Sequence, residues 1–371
     1  MTGKLNTYPN VFPINTDLIG ISRDPFDSGT YFNTTAEQLK TYISGNGSFS
    51  TVWVDERGGI DAPGNGSVNQ PFKSIDYAES QITTAAAGNP FLILCNGHFV
   101  EANLNLKPYI GINGLGMSSL IVTGTVSIDA SWSATGGQLF FGNFINVQFL
   151  STTLLDFSLY PAATLKFSNL IMDSSPSFSI IGGNASNTNV LMSNISYFGN
   201  IPPITLLNCT NVYVENSTVD NLTVEIDPNF TLSTFAQINN VDANTKVAFI
   251  INSSATSIMN CYTNACTLSQ YTISSSAATL TGYLTNTYCP QIEVVGTTSR
   301  LKADKLQNTP LFSSGATFPV NVELLPSYNV DPNMTTVQML AIVNPPKGMK
   351  VFDTTTSQFM GWNGTAWIIR G

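Results

Sequence analysis

Val214-Glu-Asn216-Ser-Thr-Val219 is one of several stretches in which an apolar and polar run reaches an asparagine and then continues. Equivalent stretches place their asparagines at Asn146, Asn169, Asn194, Asn240 and Asn260. From the first of these asparagines to the last, the steps along the chain are 23, 25, 22, 24 and 20 residues. A nearly constant period of this length is typical of proteins built from stacked repeats.

The residues between the asparagines favour short strands over helices. Segments such as Val212-Tyr-Val-Glu and Leu222-Thr-Val-Glu-Ile alternate in character, and Gly, Asn and Pro separate them. Only 10% of the chain is charged, so the helix formers of an α-helical repeat are nearly absent. The fixed leucine spacing of a leucine-rich repeat is missing as well. We therefore predict an all-β coil of parallel strands, with successive turns about 4.8 Å apart.

The recurring asparagines have a physical role in such a coil. Stacked amide side chains can donate to one another, which predicts a structural ladder through the six asparagines of the repeat. The segment from Phe91 to Phe312 has room for about nine or ten turns, a rod of roughly 45 Å. The alternative is that asparagine is simply abundant and the register is fortuitous.

Composition and charge exclude several classes of function. The chain has 14 Lys+Arg against 23 Asp+Glu, a net charge of −9, and no basic stripe that could neutralise a nucleic acid. No apolar run is long enough to insert into a membrane. One histidine and five irregularly spaced cysteines without a CxxC pair predict no metal or other cofactor, and they favour buried thiols. The start of the chain lacks the apolar run of a signal peptide, so we expect synthesis in a host cytoplasm.

Two adjoining motifs carry a resemblance to a known fold. Asp61-Ala-Pro-Gly-Asn-Gly-Ser67, followed by Gln70-Pro-Phe-Lys-Ser-Ile75, resembles the beginning of right-handed single-stranded parallel β-helices of the pectin-lyase-like superfamily. The resemblance implies a helix near 74–83 that caps the open end of the coil, with Ser74 as N-cap. It covers about fifteen residues and implies nothing about activity.

The two ends of the chain differ from the repeat. Residues 1–50, with a short helix expected from Thr34 to Ile43, resemble N-terminal particle-attachment segments of phage tail-fibre and tailspike proteins. Residues 316–371 resemble a small β module near the ends of viral and bacterial surface fibres, which implies trimerisation. There Asn363-Gly364 is a strong hairpin signal. The β-helix with its capping helix would then occupy residues 51–315.

Paired carboxylates leave an enzymatic alternative open. Glycoside hydrolysis needs two carboxyl groups a few ångströms apart. Asp220 and Asp242 are 22 residues apart, close to one turn, and Glu225-Ile226-Asp227 can project two carboxylates to one face. Solvated carboxylates on the coil explain the same residues equally simply, so no catalytic residue is favoured. Lyase chemistry has little support, because cations are scarce along this stretch.

The resemblances together imply a virion-associated fibre or spike protein, probing a host rather than catalysing a reaction. Such a protein would be a homotrimer attached to a capsid or tail component and would bind a host surface polysaccharide or receptor. The aromatic candidates for stacking on a sugar are Tyr160, Tyr197, Tyr262, Trp362 and Trp367. For the two tryptophans, a small core within the C-terminal module is the competing interpretation. A bacterial surface protein is a further alternative.

Overall fold

Parallel strands stacked turn upon turn make up most of the molecule. The computed structural model describes residues 18–22, 31–35, 50–133, 136–173, 177–183, 186–198, 203–252, 257–275, 278–296, 298–304, 306–307, 311–313, 322–324, 333–342, 345 and 349–370. Within these residues the helices are two short α-helices, Ile75–Gln81 and Thr336–Leu340, and a 3-10 turn at Ala130–Ser133. The fold is a parallel β-solenoid, which confirms the predicted all-β class.

The strands, numbered in chain order, form three faces of the solenoid. Five long strands bend around corners and contribute to more than one face: β10 (Gly137–Phe149), β12 (Ala162–Asp173), β14 (Asn187–Phe198), β16 (Asn211–Ile226) and β17 (Thr234–Ile251). The first face also holds β3 (Ser50–Asp55), β4 (Phe91–Asn96), β7 (Ile110–Gly114), β18 (Met259–Asn264), β21 (Leu280–Thr285), β23 (Ser299–Asp304) and β25 (Val322–Leu324). The second face adds β5 (His98–Glu101), β8 (Ser119–Val122) and β19 (Thr267–Leu268). The third adds β6 (Leu104–Leu106), β9 (Val126–Ile128), β11 (Thr153–Asp156), β13 (Phe178–Ile181), β15 (Ile204–Leu207), β20 (Gln270–Ser275), β22 (Gln291–Val295), β24 (Leu311–Ser313) and β26 (Asn333–Met334).

Inward-pointing side chains form continuous apolar columns. Val190, Val212, Ala236 and Cys261 are Cα partners on successive strands of the first face, and all four are fully buried. Alternation along the strand leaves the outward neighbours, such as Tyr213, in contact with solvent. Each buried valine contributes about 2 kcal/mol of transfer free energy, so the columns are the main source of stability.

One corner of the solenoid is built by residues in the left-handed backbone region. Seven successive described turns place a residue with φ between 47° and 60° there: Asn143, Asn169, Asn194, Asn216, Asn240, Ala265 and Asn286. Asparagine is the non-glycine residue that tolerates this conformation best, which explains its recurrence. The regular part therefore has about seven turns, slightly fewer than the nine or ten predicted, and strands with other corners extend it.

Amide hydrogen bonds join several of these corners into a ladder. Asn169 Nδ2 donates to Asn143 Oδ1 at 2.7 Å, and Asn194 Nδ2 donates to Asn169 Oδ1 at 2.9 Å. Asn143 in turn donates to the buried Asn113 of β7. A second run consists of Asn240 Nδ2 donating to Asn216 Oδ1 at 2.8 Å.

Two of the six predicted ladder residues are assigned wrongly. Asn146 lies three residues beyond the corner of its turn, which Asn143 occupies, and the strand register shifts between Phe144 and Val147. Asn260 lies within β18, five residues before the corner at Ala265. The repeat in the sequence is therefore real, but the spacing varies too much to fix its register.

The predicted capping helix is present as Ile75–Gln81. Ser74 is its N-cap and accepts a hydrogen bond from the Tyr77 amide at 3.3 Å. Ser74 is itself held by Asp61, whose Oδ2 accepts from the serine hydroxyl at 2.7 Å. The expected apolar face of Ile75, Ala78 and Ile82 is buried in the core.

The C-terminal residues continue the stack and then leave it. β26 pairs in parallel with β27 (Lys350–Asp353), which makes an antiparallel hairpin pair with β28 (Gln358–Trp362). β28 pairs with β29 (Trp367–Ile369) across the turn that contains Asn363-Gly364, as the sequence predicts. At the other end, β1 (Leu18–Ser22) and β2 (Tyr31–Thr35) form an antiparallel pair, while residues 36–43 of the predicted N-terminal helix lie outside the described residues.

Candidate functional site

The helix Thr336–Leu340 presents apolar side chains to solvent. Thr335 caps it in a capping box with Gln338, and Met339 is buried beneath it. On the other side, Val337 is 71% exposed and Leu340 is 66% exposed. Large apolar side chains this exposed on a short, well-capped helix are typical of a surface that another chain covers.

The adjacent hairpin adds further exposed apolar side chains. Phe359, Ile368 and Ile369 are 50%, 39% and 60% exposed. Together with Val337 and Leu340 they are named here the C-terminal apolar residues. All five lie within the last 35 residues of the chain.

Asp353 fastens the helix to this hairpin. It is 1% exposed, accepts a hydrogen bond from the Thr336 hydroxyl, and accepts another from the Thr355 amide at 2.9 Å. Burial by itself would raise the pKa of the Asp353 carboxyl, but hydrogen bonds from Thr336, Thr355 and Thr356 outweigh it and lower that pKa. The carboxylate is therefore ionised at neutral pH and fixes the arrangement of the C-terminal module.

The two tryptophans of this hairpin lie directly opposite each other. Trp362 and Trp367 are Cα partners, their ring centroids are 5.5 Å apart, and both are half-buried against the main core. This arrangement accounts for them as part of the module's own core. Their contact with a sugar or a neighbouring subunit stays a prediction.

The structure places the four candidate carboxylates on the outside of β16, β17 and the turn after β16. Asp220 accepts a hydrogen bond from the Thr245 hydroxyl at 2.8 Å, and Glu225 accepts one from the Asn252 amide at 2.8 Å. Asp242 is exposed and is the Cα partner of Thr218, not of Asp220. Asp227 follows the end of β16, where its carboxylate accepts from the Asn229 amide and closes a local turn.

Of the candidate tyrosines, Tyr262 lies in the most ordered aromatic environment. Its ring is parallel to that of Tyr283 on the next turn, with an interplanar angle of 1° and centroids 4.4 Å apart. Tyr160 instead packs in a turn against Phe157 at 6.2 Å, and the side chain of Tyr197 lies outside the described residues.

Tyr262 belongs to a row of rings that runs up the outside of the first face. Phe235 lies 5.4 Å from Tyr262, and Tyr213 lies 5.9 Å from Phe235. These four rings, Tyr213, Phe235, Tyr262 and Tyr283, are named here the aromatic stripe. Sequence reasoning missed three of the four, because their alignment follows from strand register: Tyr262 and Tyr283 are in-register partners, and Gln237 lies between Tyr213 and Tyr262.

A cation lies at the top of the stripe. Lys302 is the in-register partner of Tyr283, and its Nζ lies 6.0 Å from the centroid of that ring. Arg300, two residues earlier on the same strand, is exposed. The stripe therefore combines apolar ring faces with positive charge at one end.

Other kinds of site are not found in the described part of the chain. No group of three or more His, Cys, Asp or Glu side chains there could hold a metal ion. The five cysteines are buried thiols, with the pKa of Cys209, Cys261 and Cys289 raised by burial to about 12. Among the same residues, no helix has the length and apolar character needed to cross a membrane.

Comparison with known proteins identifies one region. No curated protein and no solved structure gave a significant match to the chain. Residues 330–370, which contain all five C-terminal apolar residues, match the family described as a phage tail like trimerisation region. With its β-solenoid and this trimerisation region, the chain is similar to phage tail-fibre proteins of the β-helix type, and the match supports self-association as a homotrimer.

Proposed function

We propose that this chain is a homotrimeric structural protein of a phage tail fibre or spike, which binds a host surface glycan or receptor without turning it over. One observation carries the proposal. The segment that matches a trimerisation region is also the segment where a capped helix and a hairpin expose Val337, Leu340, Phe359, Ile368 and Ile369. A threefold contact would remove these side chains from water.

The solenoid supplies the shape that such a role needs. Its stacked turns make a stiff rod, since each turn is hydrogen-bonded to its neighbours along three faces. Residues 1–50 would join the rod to a capsid or tail component, and the trimerising module would hold the three rods together.

The oligomeric state is the first test. Light scattering of the purified full chain should give about three times 39.9 kDa. Leu340→Glu places a charge among the C-terminal apolar residues and should shift the mass towards 39.9 kDa. Met117→Glu is the matched control, because Met117 is 76% exposed on the solenoid and lies outside the matched segment. A monomeric parent protein, or a Leu340→Glu variant that stays fully trimeric, would contradict the proposal.

Attachment through the N-terminal segment has a separate test. A variant lacking residues 1–49 keeps the whole solenoid, which begins at β3. It should remain trimeric but no longer associate with phage particles that are assembled in its presence. Particle association at the level of the full chain would refute this role of the segment.

Polysaccharide hydrolysis is the alternative function. It requires new reducing ends to appear when the protein is incubated with a host polysaccharide, and Asp220→Asn or Asp242→Asn to abolish them. In the structural and binding role, the full chain releases no reducing ends.

A further inference from the structure

We propose that the aromatic stripe of Tyr213, Phe235, Tyr262 and Tyr283, with Lys302 at its end, is a binding site for an extended polysaccharide that carries anionic groups. This inference rests on the proposed function, since it locates the glycan contact of the fibre and gives its chemical class.

The geometry of the rings suits a chain of sugars lying along the solenoid. Neighbouring rings are 5.9, 5.4 and 4.4 Å apart from Tyr213 to Tyr283, close to the spacing of the turns themselves. A pyranose ring in an extended polysaccharide advances by a comparable distance. Successive sugars could therefore place their apolar C–H faces on successive rings, each contact adding to the last.

Exposure shows that the ring faces are accessible. Tyr213 and Tyr262 are 38% and 39% exposed, and Phe235 and Tyr283 are half-buried. A row of four aromatic rings on the outer face of a β-solenoid is costly to leave in water, because their apolar area gains nothing from solvation.

Amide side chains flank the rings. Gln237 lies in register between Tyr213 and Tyr262, and Asn260 occupies the neighbouring outward column of β18. Amides can both donate to and accept from sugar hydroxyls, as carbohydrate binding requires. A purely apolar protein partner would leave such groups without hydrogen bonds, at a cost for each.

Charge gives the site its polarity and its preference for anions. In a chain of net charge −9, Lys302 and Arg300 lie together beside the Tyr283 end, whereas Glu215 is exposed two residues from Tyr213 at the other end. A carboxylate, sulfate or phosphate on the polysaccharide would be attracted to the Lys302 end and repelled from the Glu215 end. The bound glycan would therefore have a fixed direction along the rod.

A second copy of the chain is the competing occupant of the stripe. The segment that matches a trimerisation region lies elsewhere, at residues 330–370, and its own exposed apolar side chains serve that contact. The cation and amides of the stripe have no such counterpart there, so the observations favour a glycan.

Affinity electrophoresis of the full chain tests the proposal. The gels contain alginate, hyaluronate, polygalacturonate or polysialic acid, with dextran as the neutral comparison. At least one acidic polysaccharide should retard the protein, dextran should not, and added salt should weaken the retardation. Tyr262→Ala should weaken binding by about tenfold or more, and Lys302→Gln should reduce the preference for the acidic polymer.

Tyr288→Ala is the matched control. Tyr288 is 43% exposed, close to the 39% of Tyr262, but lies off the stripe, so its variant should bind like the parent protein. Light scattering on the same samples separates the two proposals. Trimers that no acidic polysaccharide retards, or whose retardation survives Tyr262→Ala, would refute the stripe alone. Loss of the trimer in Tyr262→Ala would show that a second copy covers it, and a monomeric parent would refute the proposed function.

Discussion

Replacing Asn169 should destabilise the solenoid by an amount that can be divided between two physical causes. Asn169 donates one amide hydrogen bond to Asn143 and accepts one from Asn194, at 2.7 and 2.9 Å. It also holds φ at 52°, where a residue with a β-carbon is strained. Asn169→Gly removes the two hydrogen bonds but accepts the backbone angle, whereas Asn169→Ala loses both.

The magnitudes follow from these contacts. Two hydrogen bonds at about 1 kcal/mol each give a loss of about 2 kcal/mol for Asn169→Gly. The left-handed backbone adds about 1 kcal/mol or more for Asn169→Ala, a total of about 3 kcal/mol. In the local opening equilibrium these losses correspond to factors of about 30 and about 100.

Hydrogen exchange measured by mass spectrometry is the suitable assay, because it reports local opening and does not require reversible unfolding. Peptides covering β12 and β14 should exchange faster by the stated factors, with Ala exceeding Gly. Asn260→Ala is the control, since Asn260 lies outside the ladder and its exchange should change little. Equal effects of all three substitutions, or a smaller effect for Ala than for Gly, would refute the account of the corner given above.

Three further predictions concern other buried or strained groups. Ala265 has φ 54° at the same corner, so Ala265→Gly should stabilise the surrounding turns by about 1 kcal/mol, seen as slower exchange in β18; faster exchange would contradict this. Glu79 is 2% exposed, both its carboxyl oxygens lack a hydrogen-bond partner, and burial raises its pKa well above 4.5 despite Lys107. Its contribution to stability is therefore fully present below about pH 4.5 and is lost as pH rises through the raised pKa, so Glu79→Gln should melt higher than the parent near pH 8 but not near pH 4; a gain independent of pH would refute the assignment. A thiol-specific disulfide reagent should titrate almost none of the 5 cysteines in the native protein and all 5 after denaturation, and rapid native reaction would show that these thiols are accessible.

The sequence carried the fold further than it carried the site. Alternating residues and recurring asparagines predict stacked parallel strands, and Ser74 predicts the capping helix, because both signals are local. The position of Asn143 was missed because the shift of register after it alters the spacing to Asn169 and cannot be seen in a periodic count.

The aromatic stripe shows why side-chain alignment is harder to predict than the fold. Tyr213, Tyr262 and Tyr283 come together only when every intervening turn has a known length, and those lengths vary. The C-terminal apolar residues present a different difficulty. Val337 and Leu340 have ordinary helical spacing, and only the structure shows that this face is turned away from the core.

The pairing of β26 with β27 has a consequence for synthesis of the protein. The terminal rung is completed by the same residues that match the trimerisation region, so this edge has no partner until the ribosome has made nearly the whole polypeptide. A product of premature termination would carry an unpaired row of backbone donors and acceptors, a template onto which other nascent chains can add. Such truncated products should accumulate as insoluble material, and only full translation yields a rod whose far edge is sealed.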